Sequence, residues 1–142
     1  MQHLNLLVVV AVCLSLVVAI LPAADYYVDS NDGTDANTGA SPLAPWKTIT
    51  HALSSVSGTE GGPATIHIAA GTYSPSASGE SFPLQMKSYV SLLGDGADTV
   101  ILDAQETAYH VIYCAQADSL TIEGLTVTGG RANGSGTDGK GG

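Results

Sequence analysis

The densest group of oxygen-bearing side chains in this 142-residue chain is the run Asp29, Ser30, Asn31, Asp32, Gly33, Thr34, Asp35, Ala36, Asn37, Thr38, Gly39. Calcium takes about six to eight oxygens, and carboxylates alternating with Asn around a Gly turn are how a short loop supplies them. The candidate calcium ligands are therefore Asp29, Asn31, Asp32, Asp35 and Asn37. An EF-hand loop needs Glu at its twelfth position. Counted from Asp29 that position is Ala40, so the loop is not an EF-hand. The same side chains also suit a polar turn in which Asx groups bond their own backbone. Calcium is the one cofactor the pattern raises.

Other chemistry is thinner. Asp95, Asp98, Asp103 and Glu106 cluster in one stretch, and two such carboxylates could act as acid and base in glycoside hydrolysis. Strand ends are also where turn-forming Asp is expected. His51, His67 and His110 are separated by 16 and 43 residues, which is no metal-ligand spacing and reads as three separate histidines. A lyase would need a strong base beside a cation-neutralised carboxylate. Lys87, Arg131 and Lys140 are the available bases, and none is near the Asp-rich loop in sequence. Beyond Cys13 the chain has only Cys114, which reads as a small packed side chain. Asn133, Gly134 and Ser135 form a glycosylation sequon, meaningful only in a eukaryotic secretory route. No residue is assigned a catalytic role.

The elements that must carry these residues start from an export segment. Leu4 to Leu21 is apolar apart from Asn5 and Ser15, no charged side chain precedes Asp25, and Ala23 and Ala24 offer cleavage sites. Residues 1–24 read as a secretory signal peptide or an uncleaved N-terminal anchor. Any membrane contact would run through residues 4–21 alone. The protein is expected to be secreted, extracellular or on a cell surface. Removing 24 of 142 residues leaves 118, enough for one small domain. The net charge of −9 argues against nucleic acid and anionic membranes, and against acidic polysaccharide unless divalent cations bridge the two.

Short strands recur behind the loop. Placing Ser88–Gln105 over Tyr109–Thr126 at an offset of 21 puts Val90 on Val111, Leu92 on Tyr113 and Ile101 on Ile122. An offset of 24 puts Ile66 on Val90 and Ile68 on Leu92. Second strands follow at Thr99–Leu102 and Leu120–Thr128. Periods this short leave no room for a helix in each repeat, and a parallel β-helix accounts for them. A β-sandwich is the competing fold. Ile49, Ala52, Leu53 and Val56 give Pro45–Ser57 an apolar helical stripe, with Pro45 suited to the first turn and Trp46 packing nearby. Laid across the first coil, this amphipathic helix would cap it. Residues 25–128 then form the cap and first coils. Residues 129–142, with seven glycines, form a loop or tail of a truncated longer protein.

These pieces resemble secreted right-handed parallel β-helix proteins of the pectate-lyase-like group. The resemblance rests on Tyr26, Tyr27 and Val28; the Asn31–Gly39 turn; Pro45 and Trp46; Thr48, Ile49, Ala52 and Leu53; Ile66, Ile68, Ala69, Gly71, Thr72 and Tyr73; and the later Val100–Ala104 and Gly124–Gly130. It implies an all-β, right-handed parallel β-helix solenoid with an N-terminal amphipathic capping helix. The implied role is an exported binding or display protein that meets polysaccharide or cell-surface components. The alternative is the N-terminal part of a polysaccharide lyase or glycoside hydrolase whose active site lies on coils after Gly142.

Overall fold

The computed structural model describes residues 22–131. The export segment at 4–21, the sequon at Asn133 and most of the glycine-rich stretch lie outside the described residues. In chain order the elements are β1 Ala24–Val28, α1 Ile49–Ser55, β2 Ala64–Ile68, β3 Gly71–Tyr73, β4 Leu84–Gln85, β5 Val90–Gly94, β6 Val100–Asp103, β7 Ile112–Tyr113, β8 Ile122–Glu123 and β9 Thr126–Thr128. The fold is all-β with one short helix. Among the described residues no helix is long and apolar enough to cross a membrane.

Every strand pairing between these elements is parallel. One sheet runs β1-β2-β5-β8, a second β3-β6-β9 and a third β4-β7. Ala64 lies opposite Val90, Gly71 opposite Val100, Leu84 opposite Ile112, Leu92 opposite Ile122 and Ile101 opposite Thr126, so successive turns of chain are offset by 26, 29, 28, 30 and 25 residues.

These registers correct the sequence alignment. The offset of 24 is short by two, because Ile66 pairs with Leu92 and Ile68 with Gly94. The offset of 21 joined strands of different sheets: Ile112–Tyr113 pairs with Leu84–Gln85, and Val90–Gly94 pairs with Ile122–Glu123. Side chains alternate with period two along a strand, so a slip of two residues preserves the inward and outward sets and leaves no trace in hydrophobic matching. The stretch Leu120–Thr128 is likewise two strands in two sheets, split at Gly124, whose φ is +70°. A Cβ on Gly124 would sit 2.2 Å from the Gly94 carbonyl oxygen of the turn below, so the two corners stack only because neither residue has a side chain.

The core is built from the inward half of each strand. Ala64, Ile66 and Ile68 of β2 are buried while Thr65 and His67 are half-exposed, and β5 and β6 bury Val90, Leu92, Val100 and Leu102 in the same alternation. Full burial of each Ile, Leu or Val contributes about 1.5–3 kcal/mol. Tyr73, Leu102 and Val127 stand in one ladder; the first two have 0% exposure and Val127 has 45%, since no described strand follows β9.

The opposite edge is covered. The Tyr27 N–H donates to the Gly39 carbonyl at 2.8 Å, the Trp46 N–H donates to the Tyr27 carbonyl at 2.9 Å, and the Asp29 N–H donates to the Trp46 carbonyl at 2.8 Å. Trp46 thus bridges Val28 in parallel instead of opening a helix. The helix begins later than the sequence pattern suggests, with Thr48 as N-cap accepting from the His51 N–H at 3.0 Å, and Pro45 lies outside it. Ile49, Ala52 and Leu53 face the core, and the helix packs against β1 and β4.

Candidate functional site

The Asp29–Gly39 loop carries its side-chain oxygens in several directions. Asp29 Oδ1 accepts from the N–H groups of Asn31 at 2.8 Å and Asp32 at 3.2 Å, an Asx turn. Asn31 Nδ2 donates to the Ala70 carbonyl at 3.1 Å, and Asn37 Nδ2 donates to the Pro45 carbonyl at 2.8 Å. Asp35 Oδ1 accepts from the Lys47 and Thr48 amides at 2.9 and 3.0 Å, while its Oδ2 accepts from Thr48 Oγ1 at 2.9 Å. Asn31, Asp35 and Asn37 therefore tie the loop to its neighbours and Asp29 braces its own turn, and among the described residues no group of three or more His, Cys, Asp or Glu is arranged to hold a metal ion.

A second carboxylate at the helix start was not visible in sequence. Glu80, 4% exposed, accepts from the Ile49 amide at 2.6 Å, the Thr50 amide at 3.0 Å and Thr50 Oγ1 at 2.6 Å. Burial pushes its carboxyl above the usual range; the hydrogen bonds from Thr50 and Ile49 oppose this and the Asp35 charge adds to it. The sole sequence signal is an acid in the otherwise small-residue run from Ser74 to Ser81, 31 and 30 residues from its partners Ile49 and Thr50. Tyr73 is also a brace. Its hydroxyl donates to the Ala69 carbonyl at 2.9 Å, and burial drives its phenol well above the ordinary value.

The other candidates are dispersed. His51 stands edge-on to Trp46 at 5.4 Å, His110 is tilted against Tyr113 at 6.2 Å, and His67 lies on β2. Asp98 and Glu106 are exposed on their turns, and Asp103 Oδ1 accepts from the Gln105 amide at 2.9 Å. Lys87 Nζ donates to the Val56 carbonyl at 3.0 Å, beyond the end of α1, and Arg131 lies over the Tyr109 ring at 5.1 Å. Cys114 is exposed, contrary to the packed position expected of it. It follows the two-residue strand β7 on the outermost turn of described chain, where no further strand covers it.

The structure does assemble one cleft, on the outward face of the four-stranded sheet. Tyr27, His67, Leu93 and Glu123 occupy one outward row across β1, β2, β5 and β8, with neighbouring strands roughly 4.8 Å apart. The Tyr27 and His67 rings stack at 5.1 Å and 17°. Asp25 Oδ1 lies 2.8 Å from His67 Nε2, both side chains remaining accessible. A hollow of about 230 Å³ adjoins the pair, lined by Tyr27, Val28, Asp29, Pro42, Pro45, His67, Ala69 and Asp95. Rings and prolines provide apolar surface, and carboxylates and imidazole provide hydrogen-bonding groups at its margin. Such a mixture suits a ligand with both apolar faces and hydroxyls. Another hollow of about 280 Å³, between α1 and β4, is bordered by Leu53, Pro83 and Leu84 with Thr50, Ser54, Ser81, Gln85 and Lys87, and it has no aromatic ring and no carboxylate in its lining.

No curated protein and no solved structure matches the chain. A family model matches residues 31–133, from the Asx-rich loop through the last described strand. By that match the chain belongs to the family described as protein of unknown function (DUF1565), a family associated with β-helix-like proteins.

Proposed function

We propose that this protein is an exported right-handed parallel β-helix that binds neutral polysaccharide or cell-surface glycan through the outward face of its first sheet. The parallel registers at offsets of 25–30 residues support the architecture, with α1 and the Gly39–Trp46 segment as its N-terminal cap. The apolar segment at residues 4–21 supports export.

The observation that carries the binding role is the cleft beside the Tyr27–His67 stack. A flat ring pair flanked by groups that accept or donate hydrogen bonds matches the alternating apolar and hydroxyl faces of a sugar. The net charge of −9 disfavours uronate polymers and leaves neutral glycans as the ligand class. Affinity electrophoresis through gels containing neutral glucan, mannan or xylan tests the reading. Migration is expected to be retarded in at least one of them and restored by combining Tyr27→Ala with His67→Ala. Unretarded migration in all three would overturn it.

A further inference from the structure

We infer that Asp25 is a positioning residue for His67, holding the imidazole as the tautomer protonated on Nε2 so that Nδ1 becomes the acceptor through which the cleft reads a ligand hydroxyl. The inference rests on the glycan-binding reading for its ligand, and on the geometry of the free protein for the rest.

Asp25 and Tyr27 are two residues apart on β1 and share its outward face, and Tyr27 lies directly opposite His67 on β2. The strand register therefore presents one carboxylate and one ring to the same imidazole. The 5.1 Å stack with an interplanar angle of 17° fixes the ring plane. The 2.8 Å contact between Oδ1 and Nε2 fixes its rotation within that plane. An ionised carboxylate only accepts, so a neutral imidazole in this contact carries its proton on Nε2 and leaves Nδ1 with a lone pair. Without Asp25 the ring can exchange tautomers, and in the other tautomer Nδ1 donates instead of accepting.

The test uses the full chain and has two arms. Long-range ¹H–¹⁵N spectra of the free protein are expected to show the Nε2–H tautomer in the wild type and a tautomer mixture in Asp25→Ala. Calorimetry with neutral glucan, mannan and xylan oligosaccharides is expected to show affinity falling about tenfold in Asp25→Ala, similarly in His67→Ala, and no further in the double variant. A wild-type Nδ1–H tautomer, or an unchanged tautomer in Asp25→Ala, would overturn the positioning role even if oligosaccharide still binds. The expected tautomers with no saturable heat from any oligosaccharide would instead overturn the glycan reading and the ligand half of this inference. Equal affinities in the wild type and Asp25→Ala would also sink it.

Discussion

Glu80 Oε1 accepts a 2.6 Å hydrogen bond from the Ile49 amide, so the first turn of α1 is held by a carboxylate 31 residues further along the chain. A seven-residue helix is too short to be stable on its own. Three donors converge on Glu80, two of them main-chain N–H groups that a helix start leaves without internal partners. Glu80→Ala is expected to lower stability by about 2–4 kcal/mol, because buried donors lose their acceptor. Glu80→Gln should cost less, since one oxygen remains. Urea denaturation followed by circular dichroism checks both.

The same group gives stability a pH dependence of known sign. Burial raises the folded-state value of Glu80 above its ordinary 4.5, so between that value and the raised one the folded protein binds the proton more readily than the unfolded chain. Its contribution is fully present below pH 4.5 and is lost as pH rises through the folded value. Thermal melts of the wild type and Glu80→Gln across the acidic range should show the difference in Tm narrowing as pH increases. A constant difference would contradict this.

Neither partner of that contact could have been paired from sequence. The apolar stripe Ile49, Ala52, Leu53, Val56 was legible because its 3.6-residue period is a local property, and the parallel strands were legible because short apolar runs recur. Register was not, since the two-residue period of a strand is blind to slips of two. The third sheet escaped because Leu84–Gln85 and Ile112–Tyr113 are too short to carry any period. The polar, turn-forming character of the Asp-rich loop is legible in the sequence, but the direction of Asp35 depends on Lys47 and Thr48 and that of Asn31 on Ala70, which only the fold brings near. The outward position of His67 follows from the strand's alternation, since Ile66 and Ile68 point inward on either side of it. Its partners Asp25 and Tyr27 follow from a register that spans 40 residues, Tyr27 to His67, with the loop and helix between.

Asp35 offers a direct test between its two readings. Its oxygens already accept three hydrogen bonds from Lys47 and Thr48. Asp35→Ala is expected to cost about 2–3 kcal/mol with or without calcium. Calorimetric titration should give no saturable calcium heat in the wild type. A calcium-dependent stabilisation that vanishes in the variant would restore the metal-binding expectation.

Gly124 is expected to tolerate no side chain. Its φ of +70° disfavours L residues, and an added Cβ would meet the Gly94 carbonyl oxygen at 2.2 Å. Gly124→Ala should lose about 2–4 kcal/mol from backbone strain and overpacking together. Gly61, whose Cβ would meet nothing within 4 Å, serves as the control: Gly61→Ala should be within about 0.5 kcal/mol of wild type. Equal denaturation midpoints for the two variants would refute the stacked-corner account.

Tyr73→Phe should cost about 1–2 kcal/mol, because the partly buried Ala69 carbonyl loses its 2.9 Å donor and the Ser30 amide its 3.3 Å acceptor. Hydrogen exchange at Ser30 is the sensitive readout and should accelerate in the variant. Unchanged protection there would show that the phenol does not hold the loop.

The covered edge of β1 gives the molecule an origin from which its turns are counted. Gly39 and Trp46 occupy the hydrogen-bonding groups of Tyr27 and Asp29 on that side, so no strand can be added before β1. Among the described residues no strand covers the ladder of Tyr73 and Leu102 at Val127. Length can therefore change in one direction only, in steps of one turn, and each step adds an interface with its nearest neighbour. A fixed zero also matters for register. Every later strand takes its alignment from the one beneath it, so the loop that closes β1 sets the alignment of all those that follow.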